Sequence, residues 1–252
     1  MPIHTVQEHA GIGEVVIDLP PVNAPDVAGW YELADAVTAA GRVRDNRVVV
    51  LRAEGRGFCA GVDIKEIQAK GDDALVGANR GCAAVFAAIY DCEVPVVAAV
   101  NGFCLGGGIG LVGNADIIVA ADDATFGLPE VDRGALGAAT HLARLVPQHR
   151  MREMVYTAKT VPAAELERFG SVSRVVPLAD LREAALEIAR EIADKSPTII
   201  RRAKESINGI DPVDVKRSYR FEQGFTYELH VRGVANEQRA AFVEKRDADT
   251  SR

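Results

Sequence analysis

The chain has no run of apolar residues as long as the roughly 18 that a membrane-spanning helix needs, although 48% of its 252 residues are apolar. Met1-Pro2-Ile3-His4 shows no basic region leading into an apolar one, so no secretory signal is expected. Basic residues are in short supply. Lys and Arg number 29 against 36 Asp and Glu, a net charge of −7, which argues against broad nucleic-acid binding and leaves room only for a local basic patch facing a phosphorylated ligand. The four cysteines, Cys59, Cys82, Cys92 and Cys104, have no C-x-x-C spacing and sit in apolar surroundings. They read as reduced core thiols of a cytoplasmic protein. Neither they nor the five histidines make a metal-ligand spacing such as H-E-x-x-H, so no metal is expected. There is no internal repeat and no low-complexity linker. The one tryptophan, Trp30, falls within an apolar stripe and is expected in the core. The length suits one large domain or two small ones.

What the chain does have is glycine in telling places. Val94–Val100 is an apolar, β-branched run that reads as a buried strand. Asn101–Gly110 follows, with Gly106, Gly107 and Gly108 in succession, and Leu111–Asn114 reads as a short helix ending. Glycines at a strand-to-helix junction let backbone approach a ligand, and the first N–H groups of the helix have no intrahelical partner. Such a place suits an oxyanion. A tight packing turn is the plainer reading. Gly108–Gly113 also matches G-x-G-x-x-G, but the helix is too short for a dinucleotide fold and no acidic residue ends a following strand at the required distance.

An oxyanion hole needs a second donor, and the chain offers one upstream. Val48–Arg52 reads as a strand, and Gly55–Glu66 as a glycine-punctuated loop entering a helix. Two strand–glycine–helix units can aim two N–H groups at one spot.

The remaining pattern alternates strand and helix up to about residue 175. Residues 3–9 and 13–18 read as a hairpin. Asp26 caps a helix over 27–42 with Trp30, Leu33, Ala34, Val37 and Ala40 inward. A helix is expected over 75–91, strands over 116–121 and 173–177, a helix holding His141, Leu142, Leu145 and Val146, and helices near 149–158 and 162–170. Ala124–Val131 has only extended or turn preference and carries one carboxylate, Glu130. From 180 onward the period is helical throughout, over 180–194, 198–208, 212–231 and 234–245. We therefore expect an α/β core over 1–175 and a helical C-terminal region over 176–252, which packs on the core or on another subunit. The tail from Arg246 is polar and expected to fray.

Several segments together resemble the crotonase superfamily of enoyl-CoA hydratases and isomerases. They are Gly57–Glu66, Ala99–Gly102 with Gly106-Gly107-Gly108, and Phe126–Glu130, supported by Pro21–Ala24, Phe169–Val172 and Ser196-Pro197. The resemblance spans nearly the whole chain, in order. It implies a spiral of ββα units with a helical trimerisation region, a homotrimer or homohexamer, and an acyl-CoA substrate. CoA would be part of the substrate, with no separate cofactor and no nucleic-acid or membrane partner. The backbone N–H groups of Val62 and Gly107 fall at the family's oxyanion hole. Asn23, Ala60, Asp63 and Ile64 fall where the family holds CoA, largely through backbone, with Gly106 beside them. Lys65 is a basic side chain suited to the phosphates. Hydratases of the family flank a water with two glutamates; Glu130 matches the second, whereas Gly110 stands where the first would be.

Other segments, among them Ala78–Cys82, Gly108–Asn114 and Arg133–Leu142, resemble the superfamily's ring-opening hydrolases of steroid degradation. That chemistry is carbon–carbon bond hydrolysis, with one carboxylate serving as base for water. Gly110 would then leave room for a rigid bicycle. Glu130 is the expected base, and Val62 and Gly107 would stabilise the thioester enolate. A structural acid in the Pro129 turn is the plainer reading of Glu130. Asp132, Arg133 and His141 lie where the family shapes its acyl pocket, and His141 is a weaker candidate for substrate contact. Tyr219, Phe221, Phe225 and Tyr227 read as subunit-packing residues. An enoyl-CoA isomerase or hydratase, and a non-catalytic acyl-CoA-binding protein, are the alternatives.

Overall fold

The alternation of apolar strands and amphipathic helices builds a layered α/β core in the computed structural model, which describes residues 2–248. β1 (Ile3–His9) and β2 (Ile12–Ile17) form an antiparallel hairpin. α1 (Val27–Arg42) starts at Asp26, whose side chain accepts from Gly29 N at 2.8 Å. β3 (Val48–Ala53) leads through the glycine loop to α2 (Ile64–Lys70) and α3 (Asp72–Tyr90). β4 (Val96–Val100), β5 (Phe103–Leu105), α4 (Gly107–Asn114), β6 (Ile117–Ala121) and β7 (Thr125–Gly127) follow. A 3₁₀ turn, Pro129–Arg133, leads to α5 (Ala139–Leu142) and α6 (Gln148–Thr157). Then come β8 (Val161–Pro162), α7 (Ala163–Phe169) and β9 (Arg174–Val176). Four helices close the chain: α8 (Leu181–Ala193), α9 (Pro197–Gly209), α10 (Val215–Val231) and α11 (Val234–Glu244).

The main sheet has the order β1-β2-β3-β4-β6-β9 and is parallel after the first hairpin. Parallel strands covered on both faces need near-continuous apolar runs. Val48–Leu51 and Val96–Val100 supply them and are fully buried. The α1 stripe of Trp30, Leu33 and Val37 is buried with them, and Leu181, Ala185, Leu186 and Ala189 of α8 join the same apolar cluster. Glu14 is the exception inside β2: it is 1% exposed and bonded by Arg52 of β3 and Arg182 of α8.

A second sheet, β5-β7-β8, was not expected from the sequence. Its strands of two or three residues are too short to show a period. The helix expected through Val146 is only α5, four residues long. At the C-terminal end, Arg246 bonds Glu237 and Glu244; the rest of the expected frayed tail, residues 249–252, lies outside the described residues.

Candidate active site

The two glycine loops are tied to each other by backbone. Cys59 N donates to Phe103 O at 3.1 Å, and Leu105 N donates to Cys59 O at 2.8 Å, a parallel bridge between Cys59 and Cys104. Asn101 Nδ2 adds a bond to Gly55 O at 3.0 Å. The ladder brings Gly61 against Gly106 and Gly107. A Cβ on either of the latter would stand 3.6 Å from Gly61 Cα, and on Gly107 it would also press within 2.7 Å of the Trp30 ring. Gly106 sits at φ 55°, ψ −115°, a conformation that a side chain would oppose. Gly107 opens α4, so its N–H has no intrahelical acceptor. Neither it nor Val62 N–H meets an acceptor among the described residues. Two close, preorganised donors are what a developing oxyanion requires.

Glu130 reaches the same place by another route. β7 pairs with β5, which runs into Gly106, and the 3₁₀ turn follows β7 directly. A Cβ on Gly106 would lie 2.7 Å from Glu130 Oε1. The residue borders the cavity, but Oε2 is sealed off with no hydrogen-bond partner. Burial pushes the Glu130 carboxyl up to about 8; its own backbone N–H and Arg133 oppose the rise, and the Glu222 carboxylate adds to it. Glu222, on α10, accepts from Ala139 N and Thr140 N at 2.8 and 2.7 Å and so pins the start of α5.

These groups share a cavity of about 250 Å³. Of the residues expected in the site, Glu130, Val62, Gly107, Gly106, Ala60 and Ile64 line it. Asn23, Asp63 and His141 do not. Asn23 is buried and its amide is fully used: Nδ2 donates to Glu54 O and Gly57 O, both at 2.7 Å, and Oδ1 accepts from Leu19 N. With Ala60 N bonded to the carbonyls of Val22 and Asn23, this side chain holds the first glycine loop in place. Asp63 caps α2 through Lys65 N and Glu66 N.

His141 is 1% exposed and packs against the rings of Phe86 and Tyr219 at 4.9 and 5.0 Å. Its Nδ1 accepts from Asn114 Nδ2 at 3.0 Å. Burial, with help from Arg144, pushes its pKa down to about 3 and keeps the ring neutral. It packs behind Tyr219, which lines the cavity. Asp132 is exposed, while Arg133 lines the cavity with its guanidinium 3.9 Å above the Phe242 ring.

Two expectations need correction. Gly110 does not leave room for an acyl group: a Cβ there would overlap the Phe86 ring, and Gly110 is buried in α4 and does not line the cavity. The space of a first glutamate is filled by Phe86. Tyr219, read as a subunit-packing residue, lines the cavity, whereas Phe221 and Phe225 are exposed. Arg239 and Phe242 of α11 also line it and were missed. No local signal marks them, because α11 reaches the cavity only by folding back against α2 and the 3₁₀ turn.

Elsewhere, a wider and more open groove of about 920 Å³ runs along α9 past Tyr90 and Lys204, out of reach of the glycine loops. Glu8, His9 and Glu14 bring possible metal-ligand atoms within 4.8 Å of one another. Arg182 bonds both carboxylates there and Arg52 bonds Glu14, so the group is an ion-pair cluster, distant from the cavity chemistry.

The fold is that of the crotonases. The chain belongs to the enoyl-CoA hydratase/isomerase family, whose pattern it matches over residues 7–251. It is 66% identical, over 97% of its length and 95% of the relative's, to the (7aS)-7a-methyl-1,5-dioxo-2,3,5,6,7,7a-hexahydro-1H-indene-carboxyl-CoA hydrolase of Rhodococcus jostii (strain RHA1). It is 63% identical to the Mycobacterium tuberculosis protein of the same name, over 97% of this chain and 100% of that one. Among solved structures, an enoyl-CoA hydratase subunit from Geobacillus kaustophilus HTA426 superposes with a TM-score of 0.77 at 34% identity, covering 100% of this chain and 98% of that one.

Proposed function

We propose that the protein is a CoA-dependent carbon–carbon hydrolase that opens a ring of a bicyclic indane-dione carboxyl-CoA in steroid catabolism. The observation that carries this is a lone carboxylate beside two free N–H donors, with the Phe86 ring against Gly110, the position where a water-adding hydratase would keep its first glutamate. The 63–66% identity to two hydrolases named for that substrate supports it.

Ionised Glu130 takes a proton from water, and the water oxygen adds to the ring ketone carbon. The bond from that carbon to its quaternary neighbour breaks. The electron pair moves through the conjugated alkene to the thioester oxygen, where Val62 and Gly107 N–H hold the enolate. A hole donor of this kind contributes about 3 kcal/mol to such a step. Protonation at carbon restores the thioester, and the new carboxylic acid ionises.

The test is turnover in ¹⁸O-water followed by mass spectrometry of the product. Hydrolysis puts label into a new carboxylate and leaves the CoA ester intact. Label in an alcohol would mean hydration, and a competent substrate that gains no mass would mean isomerisation; either sinks the hydrolase reading.

The same reading takes the chain as a cytoplasmic homotrimer or homohexamer. Exposed Ile199, Ile207 and Ile210 on and after α9, and Phe221 and Val231 on α10, are apolar surface that a subunit contact would cover. No helix among the described residues is long and apolar enough to cross a membrane. A monomer in light scattering at micromolar concentration would contradict the assembly.

A further inference from the structure

Arg239 is charged, 7% exposed, and bonded to no carboxylate among the described residues. Buried charges are ordinarily paired, and one left alone costs stability unless something else supplies the opposite charge. Its Nη2 donates to His230 Nδ1 at 2.8 Å and to Asn236 Oδ1 at 2.7 Å. Because a guanidinium only donates, His230 Nδ1 must accept, so its Nε2 carries the hydrogen and donates to Asp72 Oδ1 at 2.7 Å. The chain Asp72–His230–Arg239 thus fixes Nη2 of the guanidinium and leaves Nε and Nη1 without a hydrogen-bond partner among the described residues. Arg239 stands between the acyl cavity and an outer cleft lined by Asp72 and His230.

We propose that Arg239 is an anion subsite of the acyl pocket, reserved for a carboxylate on the acyl group. This rests on the hydrolase reading for its physiological occupant. Ring opening turns a neutral ketone into a carboxylic acid whose oxygens are the ketone's own and the water's. The acid ionises, its proton leaving to solvent, so the product carries a negative charge that the substrate lacked. A guanidinium keeps its charge at any working pH, and a carboxylate can take a charge-assisted hydrogen bond from Nε–H or Nη1–H, since both hydrogens of Nη2 are already committed. Arg133, also on the cavity, lies with its guanidinium face 3.9 Å over the Phe242 ring and is a second cation there.

The competing anion is a CoA phosphate entering by the outer cleft, and the experiment separates the two. Calorimetric affinities of adipyl-CoA and hexanoyl-CoA, equal in chain length and identical in CoA, are compared in the full-length wild type, Arg239→Met and Arg239→Lys. The wild type should prefer adipyl-CoA by roughly 10- to 100-fold, the worth of a charged hydrogen-bonded contact. Arg239→Met should abolish that preference and keep the hexanoyl-CoA affinity, which also shows the variant is folded, and Arg239→Lys should keep part of the preference. No preference in the wild type, or equal loss of both ligands in Arg239→Met, would overturn the assignment. Binding needs no turnover, so this result stands apart from the ¹⁸O test: carboxylate preference without label in a carboxylate would keep the subsite and reject the hydrolysis.

Discussion

Two glutamates are withdrawn from water in this protein, and they are treated in opposite ways. Glu14 lies in the main sheet at 1% exposure. Burial alone would raise its pKa, but Arg182 and Arg52 donate to both of its oxygens and hold it below 4.5. Glu130 lies at the cavity beside the glycine loops with no cation bonded to it among the described residues, one oxygen sealed and unpartnered, and a pKa raised to about 8. A satisfied buried acid is part of the framework. An unsatisfied one is strain that a folded chain keeps where a proton has to move.

The two sites also respond oppositely to pH. For Glu14 the folded pKa is depressed, so its contribution to stability is present above 4.5 and lost as pH falls through the folded value. For Glu130 the folded pKa is raised, so its proton favours the folded state below 4.5 and that contribution is lost as pH rises towards about 8.

The largest expected break in the comparison is chemical. Glu130→Gln keeps the shape and removes the base, so steady-state turnover should drop by about 10²–10⁴-fold, the usual worth of general base catalysis. Acyl-CoA binding should survive. Undiminished turnover would remove Glu130 from the role of base.

Glu14→Gln should do the reverse. It leaves Arg52 and Arg182 without their carboxylate, and Arg182 keeps part of its side chain in water. A loss of about 3 kcal/mol, the low end for breaking a buried pair, is expected in urea unfolding, with kcat close to the wild type's. A stable but inactive Glu14→Gln would merge the two classes of glutamate that the structure separates.

The sequence made the framework legible where the signal was local. α1 runs from its Asp26 cap to Arg42 as the apolar stripe predicts, and α4 begins at the glycines that announced it. Both glycine loops were readable because glycine after a buried strand is conspicuous. Glu130 stood out only through the family resemblance, since a single acid in a turn carries no pattern of its own. What stayed hidden depends on contacts across the fold. Nothing local to Asn23 announces that its amide is spent on Glu54 and Gly57. Gly110 has the look of open space until Phe86 fills it. Tyr219 and Arg239 sit on helices whose periodicity says which positions face inward, but not that inward means a cavity.

Glu130 holds its proton far above the ordinary carboxylate range, and Glu14 does not. Infrared difference spectra of wild type minus Glu130→Gln, recorded across pH 4 to 10, read that carboxyl directly. The protonated-acid band should persist through neutrality and give way to carboxylate with a midpoint near pH 8, and kcat/KM should rise with the same midpoint. A midpoint near 4.5 would contradict the account, because Glu130 would then be an ordinary solvated acid.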